Sequence, residues 1–331
     1  MRGLLVVNPK ATATTDRTRD VLIHALADQF DLEAVRTDHR GHAMELGARA
    51  VTEELDVVVT LGGDGTVNET INGMMSVRGD RGPEQLPRFG AVPGGSANVF
   101  SRALGFPIDP AEATGELVDA LRNERTRTIG LGHASGITAD GADFDRWITF
   151  NAGLGLDAEI IHNMEAARAK GKEASPTRYL MTTLRTFFAG TNRKDPAMTL
   201  FVPGQGTVEG VFLAIIQNAS PWTYLGTLAV NPLPETTWDS GLGVWAVRRM
   251  RILEGLRYSR RVIMQSKAGS TKSLFVGNDL AEFSVTCEPP VPLQIDGEGL
   301  GSITSATFTS HSDMLRVYTR PQLCGRRRPH S

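Results

Sequence analysis

The sequence has little cysteine, no long apolar run and almost no net charge. Its 331 residues include only Cys287 and Cys324, with no CxxC pair, which argues against a disulfide framework or a zinc–cysteine site and fits a reducing compartment. No stretch approaches the roughly 18 apolar residues of a membrane helix, and the run at Leu4–Val7 is too short for a signal-peptide core. The net charge of −2 provides no basic field for nucleic acid. We therefore expect a cytoplasmic protein that does not bind nucleic acid.

The predicted elements change character near residue 128. Before it, strands such as Asp56–Leu61 alternate with helices such as Asp16–Phe30 and Ala97–Leu104, which favours an α/β domain with a doubly wound, mostly parallel sheet. After it, short strands separated by turns indicate a β-rich, antiparallel, sandwich-like domain. These strands are Trp147–Asn151, Met198–Val202, Val208–Gln217, Val244–Arg248, Glu282–Cys287 and Leu315–Thr319. Further predicted features are a helix at Ser175-Pro176, a basic helix at Arg249–Gln265 and a basic tail at Arg326–Arg328.

The loop Gly62-Gly63-Asp64-Gly65-Thr66 stands between a buried strand and a helix. Ligands of parallel sheets collect at the carboxyl ends of strands. Glycines allow a close approach to phosphate oxygens, and the N-terminus of the following helix carries a partial positive charge. An isolated Asp-Gly is more often a tight turn. The strand, the doubled glycine and the helix together indicate a nucleotide phosphate site.

Two familiar nucleotide motifs do not fit this loop. No Gly-Lys-Ser/Thr follows, so it is not a Walker A motif, and Asn68 occupies the position of the third glycine of GxGxxG. An aspartate in a phosphate loop repels the ligand unless Mg²⁺ lies between them. Asp64 is therefore the predicted magnesium ligand.

A second loop repeats this arrangement after the strand Phe89–Val92. It includes Gly95, Ser96 and Asn98 and is followed by a predicted helix. Ser96 can cap that helix or bind phosphate, and Asn98 can bind phosphate or hold the loop. The sequence leaves both alternatives open.

Taken in order, several motifs resemble the bacterial diacylglycerol kinase family, which is similar to sphingosine kinases and more distantly to NAD kinases. The matching segments are Asn8-Pro9, Thr37 with Gly41-His42-Ala43, GGDGTVNETING at 62–73, PGGSANVFSRALGFP at 93–107, NAGLGLDAEI at 151–160 and Asp296-Gly297-Glu298. The resemblance implies a nucleotide-binding α/β domain over residues 1–128, completed by about 312–331, and a lipid-acceptor domain over 129–311. It also implies an active site in the cleft between them, with ATP and Mg²⁺ as cofactors.

The resemblance assigns roles to particular residues. It implies that Glu298 activates the acceptor hydroxyl, although Asp296-Gly297-Glu298 by itself favours a hairpin turn after Pro292–Ile295, and both can hold. Asp64 is the second predicted catalytic residue, together with Glu298. The predicted ATP-binding residues are Asn8, Pro9, Thr37, Gly62, Gly63, Asp64, Gly65, Thr66, Asn68, Glu69, Gly95, Ser96 and Asn98.

Two positions depart from the family pattern. Val99 stands where the family often has aspartate, and Ser240 stands where a second aspartate helps to hold a structural Mg²⁺. The neighbouring Asp239 is the remaining candidate ligand for that ion. The seven histidines show no metal-like clustering, and His42 is expected to pack near the nucleotide.

The expected activity is transfer of phosphate from ATP to a lipid, with diacylglycerol as the default acceptor. The alternatives are a sphingoid-lipid kinase, an NAD kinase-like enzyme and a regulator that binds nucleotide or lipid without catalysis. The expected partners are a lipid presented by a membrane surface, which allows peripheral association with the inner face of the membrane, and a second copy in a homodimer.

Overall fold

The structure is a computed structural model in which two units are distinguished. The described residues are 1–9, 16–28, 31–155, 196–248, 257–258, 260–262, 264–267 and 269–321. Met1–Thr128 and the chain from Leu315 onward form the first unit, and Ile129–Met314 form the second. Some predicted features lie outside the described residues: the helix at Ser175-Pro176, positions 156–160 of the 151–160 motif, most of the stretch 249–265 and the tail at 326–328.

In the first unit, strands alternate with helices. The strands are β1 (Arg2–Val7), β2 (Asp31–Arg36), β3 (Val57–Gly62) and β4 (Arg88–Pro93). The helices are α1 (Asp16–Ala27), α2 (His42–Thr52), α3 (Asp64–Ser76), α4 (Val99–Ala103) and α5 (Pro110–Arg122), with a 3-10 turn at Pro83–Gln85. The predicted α/β architecture is confirmed.

The sheet of the first unit is parallel, with the strand order β2-β1-β3-β4. Every residue of β3 is buried, as expected for a strand covered on both faces. Near the end of the chain, Val317 pairs in parallel with Phe89 of β4. Starting from β1, the chain adds β2 on one side and then returns to add β3 and β4 on the other side. The winding therefore reverses between β1 and β3.

Helices α2 and α3 approach each other closely at two glycines. A Cβ atom on Gly47 would lie 2.1 Å from the carbonyl oxygen of Thr70, and one on Gly73 would lie 1.9 Å from that of Met44. A larger side chain at either position would force the helices apart. Helices α1 and α5 contact each other separately. The right-handed crossover rule places α1 on the opposite face of the sheet from α2 and α3, and α5 lies beside α1.

The second unit is rich in strands. Its strands are β5 (Thr126–Thr138), β6 (Asp143–Ile148), β7 (Asn151–Leu154), β8 (Met198–Val202), β9 (Gly206–Val211), β10 (Leu213–Gln217), β11 (Thr223–Leu225), β12 (Leu228–Val230), β13 (Leu242–Val247), β14 (Leu274–Leu280), β15 (Glu282–Ile295) and β16 (Glu298–Tyr318). The order β14-β13-β10-β7-β15-β16 forms the main path, and β8 pairs with both β15 and β9. The pairings of β10 with β7 and β13, and of β15 with β7, β8 and β16, are antiparallel, as predicted.

The core of the second unit follows the alternation of its strands. Along β15, Phe283, Val285 and Cys287 are buried, while the intervening Thr286 is exposed. The ring of Phe283 stacks on that of Phe308 in β16, with centroids 5.0 Å apart. This period of two places one face of the hairpin against the core.

Four predicted strands have other bounds. Val244–Arg248 corresponds to β13, which begins two residues earlier and ends one residue earlier. Val208–Gln217 is two strands, β9 and β10, because the chain changes pairing partners at Phe212, whose N–H donates to the carbonyl of Val247. Glu282–Cys287 is the first part of β15, which continues through a proline-containing bulge that hides the strand pattern. Leu315–Thr319 covers the end of β16, a strand of 21 residues.

Two further predictions fail where a side chain or a backbone angle intervenes. Trp147–Asn151 is not one strand, because Phe150 directs its N–H to the carboxylate of Asp296 and interrupts the ladder between β6 and β7. The predicted helix Ala97–Leu104 begins later, as α4, because Asn98 adopts a left-handed conformation with φ 51° and ψ 47°.

Candidate active site

The carboxyl ends of β1 and β3 lie at the point where the winding of the sheet reverses. The backbone N–H of Asn8 donates to the carbonyl of Leu61 at 3.0 Å, and its side-chain Nδ2 donates to Thr66 Oγ1 at 3.1 Å. Asn8 thus joins the end of β1 to the first turn of α3, and the adjacent Pro9 is exposed. Open parallel sheets bind ligands in the crevice at such a reversal. The predicted residues at this edge are well placed for a ligand.

The Gly62–Thr66 loop leads directly from β3 into α3. The carbonyl of Gly63 accepts the N–H groups of Thr66 at 3.0 Å and Val67 at 3.2 Å, which starts the helix. Gly65 is exposed, and a Cβ atom there would meet no heavy atom within 4 Å. The first turn of this 13-residue helix carries the partial positive charge that favours anions. Open space and charge therefore fit a phosphate group at this loop.

The loop after β4 packs against the first loop, backbone on backbone. The N–H of Gly94 donates to the carbonyl of Gly62 at 2.8 Å, and a Cβ atom on Gly95 would lie 2.7 Å from the Cα of Gly63. The side chain of Asn98 accepts the N–H of Gly95 at 2.8 Å and donates to its carbonyl at 2.7 Å. Asn98 therefore holds the loop, which is one of its two roles left open by the sequence.

Asp64 connects the two loops. One carboxylate oxygen accepts the N–H of Val99 at 3.0 Å, and the other accepts the N–H of Phe100 at 3.1 Å. A carboxylate offers about four acceptor positions, so these two bonds are compatible with a cation on the same group. The side chain of Val99 is buried. Magnesium binding by Asp64 stays a prediction. The structure adds a second role, in which Asp64 holds the start of α4, and the sequence motif does not reveal this role.

The loop between β2 and α2 is fastened by Glu69. Thr37 donates its N–H to the carbonyl of Val7 at 2.9 Å, and Gly41 donates its N–H to Glu69 Oε2 at 3.2 Å. Asn68 is buried within α3, whereas Ser96 of the second loop is exposed. Of the predicted nucleotide contacts, the side chains of Asn68 and Asn98 are thus the least accessible in this conformation.

Asp38, His39 and His42 form a group that the sequence prediction missed. Their potential ligand atoms all lie within 4.8 Å of one another, so the expectation that the histidines do not cluster is wrong. The rings of His39 and His42 stack with centroids 4.9 Å apart. The hydrogen bond to the carbonyl of Arg40, with the nearby carboxylates, raises the pKa of His39. The H-x-x-H spacing was the signal that could have revealed this group.

In the second unit, Asp296-Gly297-Glu298 forms the hairpin turn between β15 and β16. Ile295 pairs with Glu298 across a two-residue loop, in which Asp296 has φ 49° and Gly297 has φ 87°. Two positive φ angles are the requirement of a type I′ turn. Gln294 Oε1 accepts the N–H of Gly297 at 2.9 Å. The turn reading is confirmed, and Glu298 begins β16 partly exposed.

The carboxylate of Asp296 is buried at the base of this turn. It accepts four hydrogen bonds: Thr149 N–H and Oγ1 both at 2.7 Å, Phe150 N–H at 3.0 Å and Asn151 N–H at 2.9 Å. Burial raises its pKa, and these donors act in the opposite direction. Asp296 therefore joins the turn that carries Glu298 to the junction of β6 and β7.

The remaining metal candidate, Asp239, also lies in the second unit and is exposed. Its neighbour Ser240 is occupied locally, since its Oγ donates to the carbonyl of Thr237 at 2.9 Å and accepts the N–H of Thr237 at 3.0 Å. A metal role for Asp239 stays a prediction. Within the first unit, by contrast, Asn8, Gly62–Thr66 and the loop with Gly95 and Asn98 are brought together.

Residues 2–134 match the family model for the diacylglycerol kinase catalytic domain. This part of the chain is therefore similar to a diacylglycerol kinase catalytic domain. The diacylglycerol kinase of Staphylococcus haemolyticus is 32% identical over 113 residues, which are 34% of this chain and 31% of that protein. That of Bacillus subtilis is 33% identical over 107 residues, 32% of each chain. The chain spans about a third of the length of these relatives.

Solved structures show the same fold over nearly the whole chain. A diacylglycerol kinase structure from Bacillus anthracis has a TM-score of 0.69 and 20% identity, with 97% of each chain covered. An NAD kinase from Archaeoglobus fulgidus, solved with ATP, has a TM-score of 0.51 and 12% identity, with 97% of this chain and 95% of that chain covered. At these identities the likeness concerns the fold alone. Within the described ranges, no helix combines the length and the apolar character needed to span a membrane.

Proposed function

We propose that this protein is an ATP-dependent lipid kinase that transfers the γ-phosphate of Mg·ATP to a lipid hydroxyl. Diacylglycerol, converted to phosphatidic acid, is the first acceptor to test, and a sphingoid lipid is the alternative. The observation that carries the proposal is the junction of two glycine loops at the carboxyl ends of β3 and β4, in the part of the chain that matches the model of the diacylglycerol kinase catalytic domain.

Three features of that junction support nucleotide binding. The Gly63–Gly95 contact leaves no room for side chains between the loops. The start of α3 supplies partial positive charge, and the space beside Gly65 is open. Asp64 keeps the second loop in place through the start of α4. Together these features favour a preformed cradle for phosphate groups.

The proposal assigns each part of the chemistry to particular residues. A lipid hydroxyl attacks phosphorus effectively only if its proton is accepted, and Glu298 is the proposed acceptor. The amide groups of the glycine loops are proposed to orient the phosphate oxygens and to stabilise charge on the transferring group. Bound Mg²⁺ would add positive charge to those oxygens, with Asp64 as its proposed ligand and Asp239 as a second candidate.

The proposed setting follows from the acceptor. Diacylglycerol resides in membranes, so the protein is proposed to act from the cytoplasm on the inner face of the membrane and to contribute to phospholipid biosynthesis. A homodimer is the proposed assembly, and nucleic acid is not an expected partner because the net charge is −2.

The test is transfer of labelled phosphate from ATP to a panel of acceptors in mixed micelles. The panel holds diacylglycerol, a sphingoid base, a monoacylglycerol and NAD, each with and without Mg²⁺. Labelled phosphatidic acid would support the proposal in full, and another labelled lipid would change only the acceptor. Phosphorylation of NAD alone would favour an NAD kinase. Binding of Mg·ATP with no labelled acceptor would favour a regulator.

The variant Glu298→Gln tests the proposed base. It should retain ATP binding and lose phosphoryl transfer by roughly 10²–10⁴-fold, the usual contribution of general base catalysis. Glu282→Gln is the matched control, because Glu282 is an exposed glutamate at the start of β15 and should keep normal activity. Equal turnover in the two variants would place the base elsewhere.

A further inference from the structure

The loop between β2 and α2 and the first turn of α2 together bring four potential metal-ligand atoms close to one another in the first unit. They are Asp38 Oδ1, His39 Nε2, His42 Nδ1 and, slightly farther out, Glu45 Oε2. His39 Nε2 lies 3.4 Å from Asp38 Oδ1 and 3.9 Å from Glu45 Oε2, and His42 Nδ1 lies 2.7 Å from Asp38 Oδ1. None of these residues is assigned a chemical step in the proposed phosphoryl transfer, and the sequence predicts only that His42 packs near the nucleotide.

One contact of His39 indicates which of its ring nitrogens is available to a metal ion. Its Nδ1 lies 3.0 Å from the carbonyl oxygen of Arg40. A carbonyl cannot donate, so Nδ1 carries a proton, and Nε2 is the ring nitrogen that a metal ion would bind in place of a second proton. Histidines that bind metal ions commonly donate their other ring N–H to a carbonyl or a carboxylate in this way. His39 is therefore oriented as a metal ligand through Nε2.

His42 contacts Asp38 through its ring nitrogen Nδ1. Its Nδ1 accepts the N–H of Asp38 at 3.3 Å and also lies 2.7 Å from the carboxylate of Asp38. The ring nitrogen and the carboxylate oxygen are close enough to bind one metal ion together. Since Asp38 Oδ1 also faces His39 Nε2, one ion at this place would serve all three residues.

We propose that Asp38, His39 and His42 bind a divalent transition metal ion of the zinc type, with Glu45 or a water molecule as the fourth ligand. Two imidazole nitrogens and carboxylate oxygens suit Zn²⁺ or Co²⁺, whereas Mg²⁺ prefers oxygen alone. Zn–N and Zn–O bonds of about 2.0–2.2 Å separate tetrahedral ligands by about 3.3 Å. The 3.4 Å contact already matches that separation, and the 2.7 Å contact needs to open by about half an ångström.

This site is distinct from the predicted magnesium ligand Asp64 and would have a structural effect of its own. Asp38 precedes the helix that begins at His42, and Gly41 between them is bound by Glu69 of α3. An ion shared by Asp38, His39 and His42 would cross-link the β2–α2 loop to the first turn of α2. The expected consequence is a loop that is more ordered when metal is bound.

The test is a titration of the tag-free 331-residue chain, freed of metal with a chelator, with Co²⁺. Four-coordinate Co²⁺ absorbs visible light much more strongly than the hydrated ion, so binding is read directly without an activity assay. One equivalent should bind per chain, and Zn²⁺ should displace it. His39→Ala and His42→Ala should each weaken Co²⁺ binding by roughly tenfold or more.

The matched control is His24→Ala, since His24 is an exposed histidine of α1 outside the group and should leave Co²⁺ affinity unchanged. Hydrogen exchange of residues 37–42 should slow when Zn²⁺ is added to the wild type and stay the same in His39→Ala. If His42→Ala perturbs the fold, His39→Ala decides, because that side chain is 53% exposed. No visible Co²⁺ band in the wild type, or equal affinity in His39→Ala, would overturn the proposal.

Discussion

Replacing Asp64 with asparagine should loosen the second glycine loop while nearly preserving the shape of the side chain. In the native protein, one carboxylate oxygen accepts the N–H of Val99 and the other accepts the N–H of Phe100. Asparagine has one carbonyl oxygen and one NH₂ group. Whichever way the amide turns, one backbone N–H loses its acceptor and faces another donor.

The size of the effect follows from that count. A hydrogen bond to a charged group contributes about 1.5–3 kcal/mol, so losing one should lower the local opening free energy at the start of α4 by that amount. Since about 1.4 kcal/mol corresponds to a factor of ten, the amides of Val99 and Phe100 should exchange hydrogen roughly 10–100 times faster. Nucleotide affinity should fall as well if the two loops bind phosphate together.

Hydrogen exchange followed by mass spectrometry on peptides covering α4 measures this change directly. Asp109→Asn is the matched control. Asp109 Oδ1 alone accepts the N–H groups of Ala111 at 3.0 Å and Glu112 at 2.9 Å at the start of α5. Asparagine keeps that oxygen and is as good a helix cap as aspartate, so exchange there should change little.

Two outcomes would refute this reasoning. If Val99 and Phe100 exchange at wild-type rates in Asp64→Asn, the carboxylate does not hold the second loop. If Asp109→Asn accelerates exchange as much as Asp64→Asn does, the effect is a general loss of charge near helix starts. Tryptophan emission should be unchanged in both variants, because all four tryptophans belong to the second unit.

Three shorter predictions concern other contacts. Gly95→Ala should destabilise the first unit by about 1–3 kcal/mol in thermal unfolding, since the new Cβ atom would lie 2.7 Å from the Cα of Gly63. Gly65→Ala is the control and should be nearly neutral, because a Cβ atom there meets no heavy atom within 4 Å. Equal melting temperatures of the two variants would contradict the close contact. Burial raises the pKa of Cys287 from 9.0 to about 12, so this thiol should resist thiol reagents until the protein unfolds. The stability that the buried neutral thiol contributes should disappear as the pH rises from about 9 towards about 12. Asp296→Asn should lower the urea midpoint of tryptophan emission by an amount equivalent to about 2–6 kcal/mol, because about two of its four donors lose an acceptor; an unchanged midpoint would argue against this buried network.

Local sequence patterns predicted much of the first unit and the turn that carries Glu298. Apolar β-branched runs such as Val57–Val59 indicated buried strands, and β3 is buried throughout. Asp296-Gly297 indicated a hairpin turn, and both residues have positive φ. These patterns succeed because they report the preferences of a few neighbouring residues.

Strand bounds in the second unit were harder to predict, because pairing partners decide where a strand ends. The continuous run Val208–Gln217 looks like one strand, yet the chain changes partners at Phe212. β15 passes through Pro289 and Pro290, which argue against a strand, by means of a bulge. The alternation of apolar and polar residues along a strand indicates which face of the sheet each side chain lies on. It does not indicate which other strand it pairs with.

By itself, the sequence determined the α/β and β-rich halves, the glycine loop after a buried strand and the resemblance to the diacylglycerol kinase family. Only the tertiary structure showed that Asp64 accepts a hydrogen bond from the start of α4, 35 residues away, and that Asp296 accepts one from the junction of β6 and β7, 147 residues away. It alone also placed Asp38 between two histidines. The physical reason is that a buried or clustered polar side chain acquires its role from its partners, and the topology of the chain selects those partners.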